Sequence, residues 1–172
     1  MPRFSGHFFV KRKVSIYFYF LLWYNEKKGL WRSFMDCVFC KIINGALPCY
    51  KVYEDEHTLA FMDIAKDVDG HMVVIPKKHV KCILDCDEET LSHLMTAVKK
   101  ISNHLVERCG YDGVNLLNAS DESAGQSVPH FHIHIIPRKK GDGLDTWPKL
   151  EGAKLTIEEI FKKVCMIGEN YE

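Results

Sequence analysis

The chain has 172 residues, of which 47% are hydrophobic, and its formal net charge is zero. This length and apolar content are typical of one folded domain and exclude a disordered chain. The charge is unevenly distributed, because residues 1–34 hold seven basic residues and one acidic residue, which leaves the rest of the chain net acidic. An acidic body argues against a nucleic-acid-binding domain, which would present a basic face.

Residues 1–34 form an N-terminal extension with three open interpretations. Lys11-Arg12-Lys13 precedes an apolar stretch over 14–24, which is shorter than the roughly 20 residues of a membrane span. The pattern resembles the front of a signal peptide, but no small-residue cleavage site follows. The extension is an over-long start before a working initiator at Met35, an appendage that packs on the domain or a partner, or a membrane-targeting segment. We expect it to carry no chemistry.

The residues after the extension predict two parts. The first is an α+β domain over 35–140, and the second is a C-terminal tail over 141–172 that contains a helix. A short helix is predicted over 37–43, and a long helix over 88–109 follows from apolar residues at helical spacing. Asp87 is its expected N-cap and Gly110 its stop. β-branched and alternating runs predict five strands in a mostly antiparallel sheet, over 50–53, 58–63, 71–75, 114–117 and 128–136. In the tail, Thr156 and Glu159 form a capping-box pair that predicts a second short helix.

The cysteines indicate the redox compartment. There are seven, an odd number at irregular spacing, in a chain that can build an apolar core without disulfides. This usage is typical of a reduced protein inside the cell. We therefore predict a cytoplasmic location.

The most informative motif is His130-Phe131-His132-Ile133-His134. Its alternation matches the period of a β-strand, so we expect the three imidazoles to line one face and the apolar residues between them to line the other. A neutral imidazole is a nucleophile near pH 7, and a neighbouring imidazole can hold its tautomer or donate a proton to a leaving group. The motif therefore favours catalysis or metal binding over a purely structural role.

The loop before the histidines suits a phosphate group. Gly125 allows close approach of the backbone, and the amides near Gln126 and Ser127 can donate hydrogen bonds to phosphoryl oxygens. The Ser127 hydroxyl and the Gln126 amide add side-chain donors. Together the loop and the histidines predict phosphoryl chemistry.

These residues resemble the signature of the histidine triad (HIT) family, in which three histidines alternate with apolar residues. Three further motifs, at 39–45, 60–64 and 70–79, follow one another as in the family's adenosine phosphoramidase-like branch. The resemblance covers residues 36–138. It implies a HIT-like fold, with a mostly antiparallel five-stranded sheet, one long helix and one or two short helices.

The resemblance also implies an activity, namely a nucleotide hydrolase or transferase. Such enzymes cleave nucleoside phosphoramidates or dinucleoside polyphosphates through a nucleotidyl-histidine intermediate. By this analogy His132 is the nucleophile, His134 and Ser127 contact the transferring phosphate, and His71 tunes the protonation of the triad. The implied partners are a small-molecule nucleotide and a second copy of the chain. No organic cofactor, no nucleic acid and no membrane is expected, unless residues 1–34 are a targeting segment.

The resemblance implies a substrate-binding set as well. Asp63 would hold the ribose hydroxyls, Phe61 and Ile64 would wall the base, and Gly125 and Gln126 would lie at the phosphates. One departure concerns the position seven residues before the loop glutamine, where many members carry Asn. That position is Ala119 here, and the adjacent Asn118 is retained as the candidate.

Cys37 and Cys40 have the spacing of half a zinc site. A single pair of this kind also fits a redox-active pair or two packed thiols. His79 and His130 are the available partners for a closed Cys2His2 site, which resembles the zinc site of some bacterial family members. A structural zinc there would anchor His130 and leave His132 free for chemistry.

Two other functions remain open at this point. One is a zinc metallohydrolase, in which the three alternating histidines bind the metal and an activated water attacks. The other is a nucleotide-binding scaffold protein. The complete triad and Ser127 argue against the scaffold.

Overall fold

A computed structural model describes residues 37–65, 67–146, 152 and 154–167. The predicted extension over 1–34 lies outside the described residues. The chain divides into two compact units, the first ending at Asp142 and the second beginning at Gly143.

Within its described residues, the first unit contains five strands and two α-helices, which confirms the predicted α+β class. The helices are α1, Val38–Ile43, and α2, Glu88–Cys109. The strands are β1, Lys51–Glu54; β2, Thr58–Met62; β3, Met72–Pro76; β4, Gly113–Leu117; and β5, Ile133–Arg138.

The strands form one antiparallel sheet in the order β1-β2-β3-β5-β4. Because successive side chains of a strand point to opposite faces, the sheet packs on both sides. Met72 and Val74 face α2 and join its apolar residues in the larger core. Val73 and Ile75 point the other way and pack with residues of α1 in a smaller core. The sheet therefore separates the long helix from the short one.

The capping residues of α2 act as predicted. The Asp87 side chain accepts a hydrogen bond from the backbone N–H of Thr90, and Gly110 ends the helix with a positive φ of 75°. Its buried residues recur at helical spacing and form the stripe that covers the sheet. They are Leu94, Ala97, Val98, Ile101 and Leu105.

The strand predicted over 128–136 is shorter and begins only at Ile133. Pro129 has no N–H to donate to a neighbouring strand. The N–H of His130 is turned back to the carbonyl of Val128 at 2.8 Å. The alternation of sides nevertheless holds where it was predicted, since Phe131, Ile133 and Ile135 are all buried in the α2-facing core. The histidine segment thus reaches β5 through a turn rather than as one continuous strand.

The second unit contains α3, Ile157–Val164, which confirms the predicted tail helix. Thr156 and Glu159 form the expected capping box, in which each side chain accepts a hydrogen bond from the backbone N–H of the other. Within the described residues, none of the helices has the length and apolar character that a membrane crossing requires.

Gly70, immediately before His71, is predicted to be intolerant of substitution. Its φ is +86°, and an added Cβ would lie 2.9 Å from the Tyr111 hydroxyl and 3.0 Å from Cγ of Pro137. We expect Gly70→Ala to reduce the free energy of unfolding by about 2–4 kcal/mol, from backbone strain plus overpacking. Gly45→Ala is the matched control, because Gly45 has a φ of +74° but open space around it. That variant should lose only about 1 kcal/mol. Equal losses in urea unfolding would show that the close approach at Gly70 has no energetic consequence.

Candidate active site and metal centre

A cavity of about 650 Å³ opens on the α1 side of the sheet. It is bordered by α1, by the end of β2 and by the segment from the loop serine to β5. Six of the residues proposed from the sequence line it, namely Phe61, Asp63, Ile64, Ser127, His132 and His134. The fold therefore brings together residues that are up to 73 positions apart.

His132 has a defined tautomer in this cavity. Its ring is buried, with 3% of the residue exposed, and its Nδ1 lies 2.6 Å from the carbonyl oxygen of His130. A carbonyl only accepts hydrogen bonds, so Nδ1 carries the proton and donates it. Nε2 is left with its lone pair. Asn118 fixes the same segment, because its Nδ2 donates to the His132 carbonyl at 2.8 Å.

His134 forms a second group with His71 and Asp63. His134 Nδ1 lies 2.9 Å from His71 Nε2. Asp63 Oδ2 lies 3.5 Å from His134 Nδ1 and 3.6 Å from His71 Nε2. Burial lowers the pKa of His134, and the neighbouring imidazoles of His132 and His71 lower it further. His71 is thus in contact with the last histidine of the triad, and its effect on the protonation of the triad stays a prediction.

The loop before the triad is held by its own hydrogen bonds. Gln126 Oε1 accepts from the N–H of Asp121, and Nε2 donates to the carbonyls of Lys81 and Val128. These bonds use both amide hydrogens of Gln126, so the side chain shapes the loop. Gly125 supports the turn with a φ of +83°. The side chain of Gln126 is therefore committed to the protein, and contact of Gln126 or Gly125 with a phosphate stays a prediction.

One wall of the cavity was missed in the sequence analysis. It comes from α1, and Phe39 is its central member. The Phe39 ring contacts Phe61 at 5.6 Å and His132 at 5.3 Å between ring centroids, both edge-on. The apolar pattern of α1 predicts a buried face, but the sequence does not indicate that this face borders a cavity. The other cavity residues not foreseen are Val38, Ile42, Pro48, Cys49, Tyr50, Met62, Val73 and Val128.

Cys37, Cys40, His79 and His130 converge as a possible metal centre. One potential ligand atom from each lies within 4.8 Å of all the others. Nδ1 of His130 is 3.5 Å from the Cys37 sulfur and 3.6 Å from the Cys40 sulfur, and Nδ1 of His79 is 3.2 Å from the latter. A tetrahedral zinc with ordinary Zn–S and Zn–N bonds would separate S and N ligands by about 3.6 Å. The donor set and its spacing both fit zinc.

The imidazole of His130 is oriented as a metal-binding histidine would be. Its Nε2 donates to the carbonyl oxygen of Pro76 at 2.9 Å, which leaves the lone pair on Nδ1, facing the thiols. Hydrogen bonding of the second ring nitrogen is the usual way in which proteins orient a metal-binding histidine. Burial lowers the pKa of His130 to about 4, although the Pro76 carbonyl acts in the opposite direction. Burial, reinforced by Cys37, raises the pKa of Cys40 to about 12 without a bound metal.

The alternative metal site built from all three alternating histidines does not form. Among the described residues, two groups have the spacing to hold a metal, and His132 belongs to neither. His130 is in the cysteine group, whereas His134 is grouped with Asp63 and His71. The three imidazoles do not share one centre, because His130 Nδ1 faces the two thiols whereas His134 Nδ1 faces His71.

This fold, with the histidine run beside a cavity, is that of a nucleotide-processing family. The family model of the HIT domain matches residues 44–141. The chain belongs to the HIT family. Over 136 residues it is 37% identical to the adenosine 5′-monophosphoramidase of Schizosaccharomyces pombe, covering 76% of this chain and 99% of that protein. It is 43% identical to an adenylylsulfatase of Arabidopsis thaliana, over 72% of this chain and 63% of the relative.

A solved relative carries zinc. The crystal structure of a zinc-bound histidine triad family protein from Mycobacterium smegmatis matches with a TM-score of 0.62 and 34% sequence identity. The match covers 69% of this chain and 86% of that one. This similarity confirms the HIT-like fold predicted from the sequence.

Proposed function

We propose that the protein is a nucleotide hydrolase or transferase that cleaves nucleoside phosphoramidates or dinucleoside polyphosphates through covalent catalysis at His132. The observation that carries the proposal is the hydrogen bond from His132 Nδ1–H to the His130 carbonyl. In the neutral imidazole, this bond leaves an oriented Nε2 lone pair as the nucleophile, in a cavity of about 650 Å³. The phosphoramidase and adenylylsulfatase named among the relatives support a substrate with an adenylyl group.

The reaction would proceed in two displacements at phosphorus. The Nε2 lone pair of His132 forms an N–P bond while the bond to the leaving amine or phosphate breaks. The leaving group departs with the electron pair of the broken bond, and an amine also takes up a proton from solvent. Water then attacks the same phosphorus and gives up a proton to solvent. The electron pair of the N–P bond returns to Nε2, and the nucleoside monophosphate and the neutral imidazole are released. Ser127 and His134 line the same cavity and would donate hydrogen bonds to the phosphoryl oxygens as charge accumulates there.

The remaining cavity residues suit the nucleoside. Asp63 would accept hydrogen bonds from the ribose hydroxyls, and its Oδ1 accepts one from the N–H of Ala65 at 2.8 Å. Phe61 and Ile64 line the apolar part of the cavity, where a base would lie. Ile64 is almost fully exposed in the described structure, so a base would cover it. Asn118 would act indirectly, through the His132 carbonyl.

The proposal includes a structural zinc held by Cys37, Cys40, His79 and His130. The support is the fit of the four ligand atoms to a tetrahedral site and the zinc in the Mycobacterium smegmatis relative. Bound zinc would neutralise the thiolates and anchor the turn that carries His130. The covalent chemistry itself is assigned to His132.

The proposal also includes a homodimer in the cytoplasm. β4 is an edge strand of the sheet, and an edge of unpaired backbone groups is a natural place for association with a second chain. All seven cysteines lie among the described residues and none is in a disulfide, which suits a reducing compartment.

The function is tested by incubating the purified chain with adenosine 5′-phosphoramidate and, separately, with a diadenosine polyphosphate. We expect release of adenosine monophosphate from at least one of them, and persistence of this activity after brief exposure to a chelator. Binding of adenosine monophosphate with no turnover of either substrate would instead support the scaffold interpretation. Turnover that stops at once on chelation and returns with zinc would favour metal-activated water.

A further inference from the structure

We infer that Asp67 is a positioning residue of the active site, which acts through His71 to make His134 a hydrogen-bond donor to the substrate phosphate. Asp67 lies in the connection between β2 and β3, outside every motif that the sequence analysis singled out. The inference rests on the proposed phosphoryl chemistry for its catalytic consequence, but the arrangement of protons that it describes is a property of the resting protein.

The contacts form a chain of three side chains. Asp67 Oδ1 lies 2.8 Å from His71 Nδ1, and His71 Nε2 lies 2.9 Å from His134 Nδ1. The hydrogen bond from His71 lowers the pKa of the Asp67 carboxyl, which is therefore ionised at neutral pH and can only accept. His71 thus holds a proton on Nδ1. The second ring nitrogen of His71 and the facing nitrogen of His134 share one further proton.

The position of that shared proton determines what His134 can do. With the pair neutral, His134 Nδ1–H donates to His71 Nε2, and His134 Nε2 has only a lone pair. Addition of one proton at His134 Nε2 moves the shared proton to His71. The positive charge then lies on His71, beside the Asp67 carboxylate, and His134 presents Nε2–H. Since His134 lines the cavity and its Nδ1 is engaged by His71, Nε2 is the nitrogen available to a phosphate.

The negative charge of Asp67 stabilises a positive charge on His71, which burial of the imidazole disfavours. The His71 side chain is only 8% exposed, whereas that of Asp67 is 53% exposed, so the carboxylate stays hydrated and is easily kept ionised. Among the described residues, the titratable groups around the pair are Asp63, Asp67 and His132. Asp63 lies 3.5–3.6 Å from both imidazoles, but the ribose would occupy its oxygens during turnover. Asp67 is then the carboxylate that remains free to balance an imidazolium.

The test compares Asp67→Asn with Asp69→Asn, which changes an exposed carboxylate two residues along the same connection. The amide oxygen that Asp67→Asn introduces can still accept from His71, so the fold and the tautomer should persist while the charge is lost. We expect the alkaline limb of the pH profile of kcat/KM to move to lower pH by about 0.5–1 unit in Asp67→Asn. This shift corresponds to a loss of about 3- to 10-fold on that limb and little loss at acidic pH. Asp69→Asn should match the unmodified protein.

Imidazole nitrogen NMR of the resting protein gives a readout that is independent of turnover. We expect His71 to carry its proton on Nδ1, and the titration of His134 to move to lower pH by about the same amount in Asp67→Asn, because the Asp67 carboxylate raises the pKa of His134. Asp67→Ala, which has no acceptor, should also release the His71 tautomer. Unchanged tautomer and titration in both Asp67 variants would overturn the inference. The expected NMR changes without any turnover of nucleotide substrates would uphold the proton arrangement and refute the proposed function.

Discussion

Replacing His132 with alanine is expected to reduce turnover of adenosine 5′-phosphoramidate by at least about 10³-fold, because a covalent mechanism has no route without its nucleophile. The zinc content should be unchanged, since His132 is not among the four clustered side chains of the proposed zinc site. Steady-state kinetics and metal analysis of the same preparation check both parts. Because His132 is buried, His132→Asn is a useful second variant, which keeps a donor for the His130 carbonyl but supplies no imidazole.

The matched control is His104→Ala, which removes an exposed imidazole from α2. It should leave kcat and KM unchanged. If His132→Ala loses zinc together with activity, the separation between a metal centre and a catalytic histidine is wrong. If it retains more than about a tenth of the activity while folded, another group is the nucleophile.

The second large effect is expected at the cysteine centre. Cys40→Ser removes a buried sulfur ligand, and a serine hydroxyl does not replace a thiolate on zinc. We expect the zinc content to fall from one to nearly zero per chain and the Tm to fall by about 10 °C. That fall corresponds to about 2 kcal/mol for a domain of this size. Metal analysis and thermal unfolding, with and without a chelator, measure these changes.

Cys109→Ser is the control for that experiment, since Cys109 is exposed at the end of α2. It should keep its zinc and its Tm. Chelation should lower the Tm of the unmodified protein and have little further effect on Cys40→Ser. If the unmodified protein is purified without metal and has the same Tm as Cys40→Ser, the side chains of the cysteine centre pack together without binding zinc.

The sequence was sufficient for features that depend on local chemistry. Period and capping residues predicted α2 from Glu88 to Cys109, including its N-cap Asp87. The grouping of Cys37 and Cys40 with His79 and His130, proposed from ligand chemistry and the family resemblance, is also present. The helix prediction succeeds because period and caps are local properties of the chain, and the metal grouping succeeds because thiols and imidazoles are the usual ligands of a closed zinc site.

What the sequence did not indicate depends on long-range packing. The histidine strand starts at Ile133 because the backbone of His130 is used in a turn, which alternation alone does not show. Phe39 reaches His132 only because α1 packs across the sheet. Asp67 appears as an ordinary loop residue until the fold places it against His71. A single sequence has no local signal for contacts of this kind.

The central claim is that His132 becomes covalently bound to the nucleotide. The most direct measurement is rapid mixing with an adenosine phosphoramidate, followed by an alkaline quench that preserves a phosphorus–nitrogen bond, and then intact-protein and peptide mass spectrometry. The account predicts a gain of one nucleotidyl group per chain on the peptide that contains His132, and no gain in His132→Ala. An adduct on another residue, or rapid turnover with no adduct at any mixing time, would contradict it.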